Sequence, residues 1–316
     1  MSVVDIGTIN NMEPAAWLWI PITLFAAFAQ TLRNVAQRGL VGELGTLGAT
    51  LVRFLYGLPF AALWLLAVQH FGGFVWPHAG ESFFLWITLG AVSQITGTAL
   101  LLRVMTERNF TLGVAYSKSE IIQVAVFGYV FLADQVTAAT ALAIAVGTFG
   151  VLLLSPADPK HPIRGLLTGW TSKTALLGLA SGTGFAFAAV GFRGSSLALE
   201  ATPFPMAAAT TLLSAQLIQT ALLGGWLLIR QPQVVTRTLR AWRPSVIAGF
   251  AGATASAGWF TAMAIEPVAN VRTLALVELL FAWLISNRLF RETLNPRELT
   301  GLVLLLLGLI IVSLAQ

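Results

Sequence analysis

Apolar runs of membrane-crossing length follow one another along almost the whole chain, separated by short polar connections. A helical span needs about 20 apolar residues. Such runs lie near 17–38, 46–69, 82–103, 110–132 and 136–155, then near 174–197, 204–229, 244–264, 270–290 and 297–315. The longest polar stretch, 156–173, carries Asp158, Pro159, Lys160, Pro162 and Arg164 and splits the chain in half. The pattern predicts an all-α membrane protein of ten transmembrane helices. Its expected organisation is a polar leader over 1–16, a five-helix repeat over 17–155, a linker over 156–173 and a second five-helix repeat over 174–316. Gly57 and Pro59 predict a kink in the second span, because proline removes a backbone hydrogen bond.

The halves resemble each other. A shift of 158 positions lays Glu120 on Glu278, Asp134 on Glu292, Gly150 on Gly308 and Ser155 on Ser313, and a shift of 160 lays Phe25 on Phe185 and Arg33 on Arg193. Five spans is an odd number, so the second copy must enter the bilayer inverted. Inverted repeats recur in secondary transporters, with the site near the midplane between the halves.

Composition reinforces the membrane reading. Charged residues make up 10% of the 316 and hydrophobic residues 57%, against about a quarter charged in a typical soluble domain. The net charge of +5 sits in short connections, where it orients the chain and gives no reason to expect nucleic acid. Arg103, Arg108, Lys160, Arg164, Arg237, Arg240 and Arg291 follow odd-numbered spans, whereas Asp5, Glu13, Glu81, Asp134, Glu200 and Glu266 lie on the opposite side. The positive-inside rule then predicts cytoplasmic odd-numbered connections, with both termini outside, in a bacterial-type inner membrane. The leader lacks the positive n-region of a secretory signal.

Ionisable side chains within a span are costly and need a reason. On the first span Thr23, Gln30, Arg33, Asn34 and Gln37 share one face at helical periodicity. Tyr116, Glu120, Gln123 and Phe127 on the fourth span do the same at i, i+4, i+7 and i+11. Lys118 lies about 200° from Tyr116 on an ideal helix, away from that face. These faces either wall a cavity or form interhelical hydrogen-bonded seams. Glu120 is expected to pair with Arg33 or Arg53, and Glu278 with Arg193 or Arg272. That gives two acid–base clusters at mirrored depths, either static ion pairs or alternating gates. Gln94 joins the candidate substrate-binding set, as does Trp259, deep in the eighth span with Thr254 and Thr261. Core packing is the competing reading for Trp259.

Trp17, Trp19, Trp76, Trp170, Trp226 and Trp242 read as interfacial anchors. Gly184, Ala188, Gly191 and Ser195, and likewise Gly249, Gly252 and Ser256, form small-residue stripes suited to close helix packing. His70, His78 and His161 have no metal-ligand spacing. Cysteine is absent and no phosphate-cradling Gly-Lys-Ser/Thr loop occurs. No metal, cofactor or enzymatic centre is therefore expected.

The closing pieces of each half, Phe131-Leu132-Ala133-Asp134 to Gly147 and Gly150 and Leu289-Phe290-Arg291-Glu292 to Gly301 and Gly308, resemble the EamA-like branch of the drug/metabolite transporter superfamily. Arg53 in Ala49-Thr50-Leu51-Val52-Arg53-Phe54 resembles the usual second-helix arginine of that family, and Pro267 before the ninth span is in character. The chain departs from the family pattern at Asp134, where Gly-Glu is usual, and at Gln30-Thr31-Leu32-Arg33-Asn34, where Trp-Gly is frequent. The resemblance implies a secondary transporter. The residues suit an exporter of amino acids or related small metabolites, acting as a monomer, with drug efflux or a non-transport role as receptor or accessory subunit as alternatives. Either glutamate is a candidate for proton coupling.

Overall fold

The computed structural model describes residues 15–107, 117–118, 120–154, 173–290 and 296–314. Among them every regular element is a helix. The first half gives α1 (Trp19–Leu55), α2 (Leu58–Gly72), α3 (Glu81–Glu107), α4 (Glu120–Leu132) and α5 (Ala138–Leu154). The second half gives α6 (Lys173–Leu197), α7 (Phe204–Gln219), a π-helical segment (Thr220–Gly224), α8 (Gly225–Arg230) and α9 (Pro232–Arg240). It continues with α10 (Trp242–Ile265), α11 (Val268–Leu274), α12 (Val277–Phe290) and α13 (Pro296–Leu314).

At 37 residues, α1 would reach about 55 Å, nearly twice the hydrocarbon thickness. It is in fact two helices, because Gly45 breaks the ladder at φ 70°, ψ 172°, a conformation open to glycine and strained for any residue with a Cβ. The second helix is interrupted again at Tyr56–Gly57, before Pro59, as the sequence predicts. Among the described residues, six helical stretches are long and apolar enough to cross a membrane, and Glu120–Leu132 and Ala138–Gly150 are shorter apolar helices. The pattern of exposure is inverted relative to a soluble protein. Phe25, Leu63, Phe84, Tyr129, Phe149 and Phe250 face outward, while Arg33, Arg53, Lys118, Glu120, Arg272 and Glu278 are buried. Lipid is the solvent such a surface requires.

Three seams carry most of the packing: α1 on α10, α3 on α6 and α5 on α13. Each joins the first half of the chain to the second. Small residues make the approach possible. A Cβ on Gly184 would lie 2.9 Å from the Gly97 Cα, one on Gly191 2.7 Å from the Gly90 nitrogen, and one on Gly249 2.5 Å from the Tyr56 backbone. The third seam meets at Gly308, where a Cβ would lie 3.1 Å from the Gly147 nitrogen. The stripes anticipated on α6 and α10 are therefore packing seams.

The described connections sort into two ends. Phe74 packs with Met206 in one small apolar cluster; Arg193 joins Asp134 to the Glu266 carbonyl, and the Val268 N–H donates to Asp134. At the other end α9 lies on α1, with Tyr56 donating to the carbonyl of Thr238 at 3.1 Å. One expectation is corrected here. Trp19 is fully buried and forms part of the main core, because it lies on the face of its helix that packs inward, while Pro21 in the same turn is exposed. Trp17, Trp76, Trp226 and Trp242 are exposed, and Trp170 lies outside the described residues.

Candidate functional site

Two helix breaks organise the centre of the molecule. Ser117–Lys118 precede α4, which starts at Glu120, and Ala275–Leu276 separate α11 from α12, whose first turn contains Glu278. These are the same place in the two halves, 158 residues apart. At the second break Glu278 donates its N–H to the carbonyl of Ala275 at 3.0 Å, and Leu279 donates to Leu276 at 2.9 Å. Each carboxylate thus sits in the first turn of a helix, where the helix dipole favours negative charge.

The side chains around the breaks form one closed ring. Lys118 donates to Oε2 of Glu278, and its Nζ stands 4.0 Å from Oε1 of Glu120. Arg272 reaches that same Oε1 at 3.6 Å, with its guanidinium 5.0 Å from the centre of the Trp259 ring. The Trp259 indole donates to Gln30 at 2.9 Å. Gln30 donates to Glu278 at 2.9 Å, and Asn34 donates to the other oxygen of Glu278 at 2.8 Å. Glu278 therefore accepts from three side chains. Glu120 leaves its Oε2 without a partner.

Arg33 and Arg53 lie against this ring without a carboxylate of their own. Arg33 donates to Asn34 Oδ1 at 2.6 Å, while its Nε and Nη1 have no acceptor. Arg53 donates to the hydroxyls of Thr98 at 3.1 Å and Ser256 at 3.3 Å. Both flank Gly252, where a Cβ would lie 3.2 Å from Arg53 Cγ and 3.4 Å from Arg33 Cδ. The enclosed cavity between Arg53, Gln94, Lys118, Glu120, Arg272 and Glu278 measures about 20 Å³. That is room for about one water molecule, so the centre is closed in this state.

A separate ion pair lies toward one end. Asp134 follows Ala133, which adopts a left-handed φ of 53°, and its N–H returns to the carbonyl of Gly128 at 3.1 Å. This helix-ending turn aims the carboxylate at Arg193, whose Nε and Nη2 donate to Asp134 Oδ1 at 3.0 and 2.9 Å. Nη1 donates to the carbonyls of Met263 at 2.6 Å and Glu266 at 2.8 Å. One guanidinium thereby ties α6, the α4–α5 turn and the end of α10 together.

Of the residues singled out from sequence, Gln30, Arg33, Asn34, Arg53, Gln94, Glu120, Trp259, Arg272 and Glu278 are brought to the centre. Gln94 lines the cavity and accepts from Gln219 at 2.8 Å. Gln123 is half-buried and lies off the cavity lining. Tyr116 is outside the described residues.

The expected pairings are corrected. Glu120 pairs with Arg272 rather than Arg33 or Arg53, and Glu278 with Lys118 rather than Arg193 or Arg272. The two glutamates share one cluster instead of forming two, and Arg193 is not part of it. The physical reason is the helix break. An ideal helix turns Lys118 away from the Glu120 face, but the interruption at Lys118 removes that phase relation and lets the ammonium reach both acids. Lys118 is the member of this cluster that the sequence pattern had placed away from it. Its signal was an ammonium two residues before a carboxylate inside an apolar segment.

Comparisons with known proteins agree with this architecture. Residues 172–314 match the EamA-like transporter family. No curated protein matches the chain. Among 27 matching solved chains, one described only as a crystal structure of a protein superimposes with a TM-score of 0.65 at 13% identity. The match covers 94% of this chain and 96% of that one. At that identity the likeness is one of fold. The second half of the chain is thus similar to the EamA-like transporter family, part of the drug/metabolite transporter superfamily.

Proposed function

We propose that the protein is a secondary transporter of ten spans in two inverted five-helix repeats, working by alternating access. Its cargo would be amino acids or related small metabolites, moved outward across a bacterial-type inner membrane. The observation that carries this reading is the central ring. Two carboxylates at equivalent helix breaks, one from each half, share cations across the interface between the halves. Broken helices at a repeat interface near the midplane are where secondary transporters bind cargo. Exchange of the halves supports the inverted repeat. A shift of 158 carries α4 and α5 onto α12 and α13, and carries the α3–α6 seam onto the α10–α1 seam.

The sorting of connections into two ends fits odd-numbered connections in the cytoplasm and both termini outside. The Arg193–Asp134 pair would then close the outer end. Opening the centre requires the ring around Glu120 and Glu278 to come apart, so cargo entry and ion-pair exchange are one event. The test is flux into proteoliposomes holding the purified protein. Glu120→Gln and Arg53→Ala are expected to abolish flux while the protein still elutes as a folded species. Full activity in both variants removes the central site.

A further inference from the structure

The buried charges do not balance. Among the described residues the buried cations are Arg33, Arg53, Lys118, Arg193 and Arg272, and the buried carboxylates are Glu120, Asp134 and Glu278. Arg193 and Asp134 neutralise each other in their own pair, with two guanidinium nitrogens on one carboxylate oxygen. The centre is left with four cations and two carboxylates. Lys118 stands between both acids and Arg272 pairs with Glu120. That accounts for both negative charges and leaves Arg33 and Arg53 with only neutral partners.

An uncompensated guanidinium within a bilayer is costly, and burying two side by side adds their repulsion. Packing gives no reason to keep them, because Met or Leu would fill such space without charge. A ligand supplies the reason. Arg53, Lys118 and Arg272 line the central cavity together. Arg53 is held in place by two hydroxyls that fix its guanidinium without neutralising it. Guanidinium and ammonium groups donate and never accept, which suits them to the oxygens of a carboxylate or phosphate.

We infer that the cargo is a small oxyanion, a carboxylate- or phosphate-bearing metabolite of net negative charge, held between Arg53, Arg272 and Lys118. This rests on the transporter reading above and narrows it, since a neutral zwitterion would leave the excess positive charge in place. Binding supplies the missing anion, so the loaded centre is closer to neutral than the empty one.

The test uses the full chain in proteoliposomes with four labelled probes: inorganic phosphate, succinate, leucine and putrescine. Saturable uptake of phosphate or succinate is expected, and which of the two is carried separates phosphate from carboxylate recognition. Arg53→Gln should lower that uptake by about 30-fold or more, with Arg53→Lys retaining more than the glutamine variant. A second measurement needs no variant. At constant ionic strength, the carried anion should raise the thermal unfolding temperature of the wild-type protein, while leucine and putrescine leave it unchanged. Uptake of leucine or putrescine with neither anion carried overturns the anionic assignment and leaves the transporter reading standing. No saturable uptake of any probe, with no thermal shift by either anion, overturns both.

Discussion

The Arg193–Asp134 clasp and the central ring are both buried ionic clusters between the two halves, yet they are built in opposite ways. In the clasp every guanidinium nitrogen has an acceptor, one cation meets one carboxylate, and two further bonds go to backbone carbonyls. In the centre Arg33, Arg272 and Glu120 all keep atoms without partners, and cations outnumber carboxylates two to one. A satisfied pair is difficult to leave and holds a shape. An unsatisfied cluster has several arrangements of similar cost and can trade partners. Burial alone therefore does not separate structural from functional charges, whereas completeness of hydrogen bonding does.

The contrast can be broken most directly at the clasp. Arg193→Ala leaves Asp134 buried without a cation and is expected to cost about 3–5 kcal/mol of stability, read as a lowered thermal or denaturant midpoint in detergent. The centre should respond differently. Glu278→Gln keeps a side chain of the same shape on Gln30 and Asn34 but removes the charge facing Lys118. Flux should fall about 30-fold or more while the unfolding midpoint moves much less than for Arg193→Ala. Equal destabilisation by the two variants, with flux tracking only the folded fraction, would erase the distinction.

The smallest expected effect sharpens it. Ala133 pays about 1–2 kcal/mol for its left-handed conformation, and Ala133→Gly should return about 0.5–1 kcal/mol of it after the added backbone entropy. The clasp then tightens and the melting temperature rises without a matching gain in flux.

Much of this was legible in the sequence for a physical reason. Long apolar runs and buried polar residues are expensive exceptions in their respective solvents, so they stand out residue by residue. Glu120, Glu278, Arg53 and the glycine stripes were readable on those grounds. Pairing was not, because periodicity places a side chain on a face only while the helix continues. The interruptions beside Lys118 and at Ala275–Leu276 reset that phase, and with it the partners of both glutamates. Trp19 went astray for a related reason. Its place near the start of a span suggests the interface, but which face a neighbouring helix covers is decided by tertiary packing.

The fold also solves one problem in two ways at the same level of the bundle. In the first half the ladder stops at Tyr56–Gly57, and in the second it widens into the π turn of Thr220–Gly224. The first irregularity packs on the helix that leads into the second: a Cβ on Gly57 would lie 3.0 Å from the Gln216 amide, one turn before that widening. Bulk added at Gly57 would press on Gln216, so a change at the first interruption is felt one turn ahead of the widening in its neighbour.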